Sequence, residues 1–165
     1  MSDTITGDYI LQMAERIEQN GAGFYTLAAQ RCPEQARPAL LGLAEDEATH
    51  QRQFQQIRQR LAMAPAGEID PDGEPARYIR ALLSRKFFDP SSDPASYFSG
   101  GESFRDILLT AVGLEKESVV FYEGLKAVVP EGDSRAIVEL IIRTEMKHIT
   151  DLVRQLTALE GGRVF

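Results

Sequence analysis

A single cysteine, Cys32, stands in the 165 residues, and tryptophan is absent. One thiol cannot close an intrachain disulfide, form a Cys-x-x-Cys redox pair or build a thiolate cage for zinc or iron. Any metal held by this chain must be held by oxygen and nitrogen. Cys32 precedes Pro33 at an expected helix boundary with neither histidine near it in sequence, so a packed or half-buried thiol is expected rather than a nucleophile. Positive charge is also short, 18 Lys and Arg against 25 Asp and Glu for a net charge of -7, with no dense basic block. Affinity for nucleic acid rests on cationic neutralisation of phosphates, so no nucleic-acid partner is expected. No stretch approaches the roughly 20 apolar residues of a membrane span, and Met1-Ser2-Asp3-Thr4 lacks the positive and then apolar layout of a secretory leader. The expectation is a cytoplasmic chain with no membrane partner, folded as one domain over 1–165.

Histidine is scarce as well, and both copies stand in one setting. His50 closes Glu47-Ala48-Thr49-His50, and His148 closes Glu145-Met146-Lys147-His148. Each Glu-x-x-His follows, at nearly equal distance, a glutamate with a Phe-Tyr pair behind it: Glu18 with Phe24-Tyr25, and Glu115 with Phe121-Tyr122. This is an internal repeat. Residues three, four and seven apart share one helix face, so each half offers a lone carboxylate plus a carboxylate and imidazole pair to the same interior. One Glu-x-x-His is ordinarily a solvated helix face, but two copies with matched companions favour a common site.

The spacing predicts four long helices. The first runs from about Thr6 to Arg31 along Leu11, Ala14, Glu18, Ala22, Tyr25 and Ala29, and Cys32-Pro33 closes it. The second runs from about Pro33 to Ala64 along Ala36, Leu40, Leu43, Glu47, His50, Phe54, Ile57 and Leu61. Proline and glycine then punctuate a crossover over about 65–101, with a short amphipathic helix from Arg77 to Phe87 presenting Tyr78, Leu82 and Phe87 on one side. Its aromatics, with Tyr97 and Phe98, are expected to cap the bundle, a subunit contact being the alternative. Ser99-Gly100-Gly101-Glu102 has capping-box spacing for a third helix reaching Val129, and a fourth runs from Asp133 to Glu160. The fold class is all-α, a four-helix bundle with one long crossover.

Glu18, Glu47, His50, Glu115, Glu145 and His148 all fall on the inward stripes. Burying one unpaired carboxylate costs several kcal/mol, and burying four together at neutral pH demands positive charge beside them. Two divalent ions supply the matching charge. Carboxylates with two imidazoles suit iron or manganese, and zinc can occupy such a set. Tyr25 and Tyr122, two turns after Glu18 and Glu115, are placed to hydrogen-bond a carboxylate across the bundle, although ordinary core tyrosines would occupy the same positions. Glu117 is the competitor to Glu115, and the repeat decides for Glu115, whose spacing to Tyr122 equals that of Glu18 to Tyr25. Glu15, Glu45, Asp46, Glu117 and Glu123 fall off the inner lines and read as solvated.

This constellation resembles the ferritin-like superfamily, specifically its rubrerythrin-like branch, over the four helices but not the crossover. The resemblance implies a carboxylate-bridged di-iron centre. Glu18 and Glu115 would be terminal ligands, Glu47 and Glu145 would bridge, and His50 and His148 would each bind one iron. Rubrerythrins proper also carry a rubredoxin-type centre on four cysteines, which one cysteine cannot supply. They have a further glutamate one turn after the third-helix ligand, where this chain has Ser118. Those departures point away from the rubrerythrin peroxidase cycle and toward the symmetric six-ligand arrangement of bacterioferritin-like ferroxidase centres. The implied function is an oxidoreductase that oxidises ferrous iron with oxygen or peroxide, as a homodimer served by a separate electron donor. The alternatives are a metal-stabilised structural or interaction bundle without turnover, and a metal-free bundle whose buried carboxylates are protonated or hydrated.

Overall fold

The computed structural model describes residues 7–63, 73–82 and 93–161. They form five α-helices, α1 (Gly7–Ala29), α2 (Arg37–Met63), α3 (Glu74–Leu82), α4 (Phe104–Val128) and α5 (Asp133–Leu159), with 3-10 turns at Glu34–Ala36 and Pro94–Tyr97. No strand occurs among the described residues. Helices α1 and α2 pack as one antiparallel hairpin and α4 and α5 as another, while α3 lies on α4. This is the expected all-α bundle, joined by a long connection between α2 and α4.

The helix ends follow from local chemistry. Pro33 holds φ near -55° and ψ near 145°, which breaks the α path between α1 and α2, and Arg37 Nε donates to the Ala29 carbonyl at 3.2 Å to satisfy the end of α1. Cys32 is half-buried there, its Sγ 3.5 Å from the same carbonyl. The start of α4 differs from the sequence expectation. The capping box is Ser103 with Asp106, four residues later than Ser99 with Glu102. Glu102 instead accepts from the Ser99 hydroxyl and from the backbone N–H groups of Ser99 and Gly100, so its carboxylate fastens the turn that precedes the helix.

Two hydrocarbon clusters fill the bundle. Ile10, Leu11, Ile17, Phe54, Ile57, Leu125 and Ile141 belong to one, and Phe24, Ala28, Leu40, Ile107, Leu108 and Leu152 to the other. Every long helix passes from one cluster to the other, and in each the crossing point is the glutamate, or the Glu-x-x-His, of the repeat. The fold therefore sets a polar layer between two apolar plugs.

The crossover contributes to both plugs. Tyr97 and Phe98 pack on Phe24, with ring centroids 5.8 Å and 5.2 Å away, which is the capping role expected of them. Among the described residues of α3, Ile79 is fully buried and Tyr78 is 41% exposed, so Ile79 takes the inner place expected of Tyr78, while Leu82 packs against the core as expected. The reason is Gly124: a Cβ there would lie 2.7 Å from both Ile79 Cδ1 and Tyr78 Cε1. Its absence lets α3 settle onto α4, where the Tyr78 hydroxyl donates to the Val120 carbonyl at 3.1 Å. The helix begins at Glu74 rather than Arg77, Leu82 is its last residue, and Phe87 lies outside the described residues.

Gly124→Val should lower stability to urea by about 1–3 kcal/mol, the usual cost of overpacking a filled contact. Gly113→Ala, at an exposed helical position with open space around it, should raise stability by about 0.5–1 kcal/mol. Equal effects of the two changes would show that α3 does not depend on the gap at Gly124.

Candidate metal centre

Each long helix delivers its polar residues at the level where the two apolar clusters meet. Glu18 comes from α1, Glu47 and His50 from α2, Glu115 from α4, and Glu145 and His148 from α5. The sequence expectation of a shared interior holds, since none of the six is more than 5% exposed. Glu117, the competitor to Glu115, lies on an exposed face.

The donor atoms fall into two groups that share two residues. Glu18, Glu47, His50 and Glu145 place one donor each within 4.8 Å of one another, and Glu47, Glu115, Glu145 and His148 do the same. The shared carboxylates point both ways. Glu145 sets Oε1 2.8 Å from His50 Nδ1 and Oε2 3.0 Å from His148 Nδ1. Glu47 sets Oε2 3.7 Å from His50 Nδ1 and Oε1 3.4 Å from His148 Nδ1. The unshared carboxylates each face one imidazole, Glu18 Oε2 at 3.6 Å from His50 Nδ1 and Glu115 Oε1 at 3.6 Å from His148 Nδ1. Between the two rings the centroid distance is 6.0 Å, with planes 26° apart.

Tyr25 and Tyr122 act crosswise. The Tyr25 hydroxyl donates to Glu115 Oε1, and the Tyr122 hydroxyl donates to Glu18 Oε1. A phenol from each hairpin thus fixes the lone carboxylate of the other, and the remaining oxygen of Glu18 is left facing inward.

Charge in this layer is resolved by burial and by the imidazoles. Burial pushes the Glu18 and Glu115 carboxyls well above the usual carboxylate range. Burial acts the same way on Glu47, but hydrogen bonding with Glu18 and both imidazoles outweighs it and brings Glu47 down to about 2. Glu145 is likewise lowered, burial being outweighed by His148 and His50. Burial opposes a charge on His50, yet its contacts with Glu145, Glu18 and Glu47 hold it up to about 12, and His148 is raised in the same manner. Protons therefore neutralise the layer when nothing else does.

Those protons do not satisfy its geometry. Glu18 Oε2, Glu47 Oε1, His50 Nδ1 and Glu145 Oε1 are buried without a hydrogen-bond partner. His50 Nδ1 and Glu145 Oε1 are only 2.8 Å apart, yet misaligned for a hydrogen bond. Close atoms aimed past one another are arranged around a common third point, which is how ligands of a cation stand. Oxygen and imidazole donors in two overlapping sets of four fit a pair of divalent ions.

Three features escaped the sequence. Asp46 belongs to the outer side of α2, but its Oδ2 lies 3.2 Å from His148 Nε2, the ring nitrogen that faces away from the cluster. A histidine whose inner nitrogen serves a site needs a partner for the outer one, and that rule was the available signal. Gly21 lies against Glu47: a Cβ there would be 3.3 Å from Glu47 Cγ and 3.5 Å from its Oε2. A cavity of about 50 Å³ opens beside it, lined among others by Asn20, Tyr25, Glu47, Glu115, Glu117 and Ser118. Glu117 is held above the usual carboxylate range by partial desolvation at this rim.

Tyr122→Phe and Tyr25→Phe each leave a buried carboxyl oxygen without its donor. Urea denaturation of the metal-free protein should show a loss of about 1–3 kcal/mol for either change. A loss below about 0.5 kcal/mol in both would mean that the crosswise bonds contribute little.

No family model matches the chain, and no curated protein does. Among solved structures it is similar to a Thermotoga maritima protein assigned as a ferritin-like diiron-carboxylate protein. The TM-score is 0.71 at 20% sequence identity, covering 94% of this chain and 97% of the other. A likeness over nearly the full length of both chains at so low an identity concerns backbone architecture, and it shows that this chain has the fold of a ferritin-like helical bundle.

Proposed function

We propose that the six buried residues hold two metal ions, iron in the working protein, and that the bundle oxidises ferrous iron with oxygen or peroxide. The observation that carries this reading is the two-way presentation of Glu47 and Glu145, whose separate oxygens face separate imidazoles. In it Glu47 and Glu145 bridge, Glu18 and His50 complete one position, and Glu115 and His148 complete the other. The fold shared with a protein assigned as a diiron-carboxylate protein supports the choice of iron. Bound iron would supply the electron chemistry, two ferrous ions giving the two electrons that peroxide accepts.

The chain's own residues do the rest. Tyr25 and Tyr122 fix the orientation of Glu115 and Glu18. The apolar clusters above and below exclude water from the layer and strengthen every charge interaction inside it. The cavity at Glu47 and Glu115 exceeds by several-fold the roughly 10–15 Å³ that admits a water, so a small oxidant can reach the carboxylates from the rim at Asn20 and Glu117. This opening favours turnover over a purely structural role. A single cysteine leaves no thiolate relay within these residues, and a separate donor would supply any reducing electrons that turnover needs.

Anaerobic titration with ferrous iron should show two ions per chain, and exposure to oxygen should produce an absorbance band near the ultraviolet edge. Glu47→Ala and Glu145→Ala should each abolish binding of the pair. Two tightly held ions in either variant would refute the bridging roles. Two ions without any band in air would leave a metal-stabilised structural bundle. Because burial keeps protons on Glu18 and Glu115, a metal must displace them. Apparent affinity should therefore rise with pH and fall on acidification, with release of up to about four protons per pair in a weakly buffered titration.

A further inference from the structure

The repeat matches the six converging residues type for type, but it fails one position outside them. Glu47 and His50 correspond to Glu145 and His148, so Asp46, next to Glu47, corresponds to Thr144. Asp46 Oδ2 stands 3.2 Å from His148 Nε2 and, although its side chain is 56% exposed, it reaches the outer nitrogen of a ring that is almost wholly buried. Thr144 offers nothing equivalent. Its hydroxyl donates to the Leu140 carbonyl at 3.1 Å, and among the described residues the carboxylates near His50 are Glu18, Glu47 and Glu145, all on the Nδ1 side.

That difference acts on ligand quality. A carboxylate accepting the Nε2–H fixes the tautomer that leaves Nδ1 free to bind, locks the ring rotation and raises the donor strength of Nδ1. His148 has this support, and among the described residues no carboxylate gives it to His50. The two halves differ again at the cavity, which is lined by Glu115 but not by Glu18, so the position served by His148 is the one that solutes reach.

We infer that the two metal positions are unequal, with Asp46 as a positioning residue that makes the Glu115 and His148 position the tighter of the pair and the first to fill. This rests on the two-metal reading above and specifies how that site loads. A chain with one ion bound would then be a populated state, holding its ion on the cavity side.

The probe is manganous ion, which stays unoxidised in air and reports isolated and coupled ions differently by electron paramagnetic resonance. Titrated into the metal-free full chain, the first equivalent should give an isolated-ion spectrum and the second a coupled pair. The two dissociation constants should differ by about 10–100-fold, the usual effect of a partner on a ligating histidine. Asp46→Ala should weaken the first step by about 10-fold or more, leave the second little changed and lower the share of isolated ions at one equivalent, with coupled pairs appearing earlier in the titration. Asp46→Asn, which keeps an acceptor, should restore part of the loss, which a general defect of folding would not allow. Thr144→Asp should tighten the weaker step. His148→Ala should abolish the tight step and spare the weak one, while His50→Ala should do the reverse. A coupled pair appearing from the first substoichiometric addition, or an Asp46→Ala protein whose first step is unchanged within about twofold, would overturn the inequality while leaving two metal positions intact. Failure of the wild-type chain to bind manganous and ferrous ions at all would remove the two-metal reading and this inference together.

Discussion

Four carboxyl groups and two imidazoles share one layer from which hydrocarbon on both sides excludes water, and the rest of the molecule is arranged to make that tolerable. Desolvation would make such a layer prohibitive if all four acids were charged and unpaired. The structure meets the constraint in two ways at once. Protonation of Glu18 and Glu115, with charge sharing between Glu47, Glu145 and the imidazoles, neutralises it as a bare polypeptide. The misaligned close pair of His50 and Glu145, and the unpartnered oxygens around it, show that neutrality alone does not complete it.

Periodicity made much of this legible before any coordinates. A helical stripe that carries glutamate and histidine where leucine is otherwise expected marks the layer, and the doubled motif shows that two halves face each other. The helix count and the six converging residues follow from that. Boundaries were less legible because capping signals overlap: Ser99 with Glu102 and Ser103 with Asp106 share the same spacing, and only the second lies where the helix can start. Ile79 was missed because the stripe of α3 is set by a gap on another helix, Gly124, which no local pattern reveals. Asp46 was missed because its position on α2 is correctly read as outward, while its partner lies on α5.

The repeat also shows where the two halves have separated in role. Gly21 corresponds to Ser118, and Asn20 to Glu117, and all four line the same cavity. Glycine at the first position leaves the flank of Glu47 open, since even a methyl group would press on its side chain. The acid is thus confined by its neighbours on the cluster side and has room on the cavity side. A cavity opens to the layer at this seam between α1 and α4, whereas within each hairpin the backbones pack closely.

The crosswise phenols have a mechanical consequence. Each is a stiff ring rooted in one hairpin whose tip is tied to an acid of the other, so together they behave as two struts spanning the gap between α1 and α4. A strut resists compression as well as separation. Narrowing or widening of the gap beside the cavity therefore strains both ties at once.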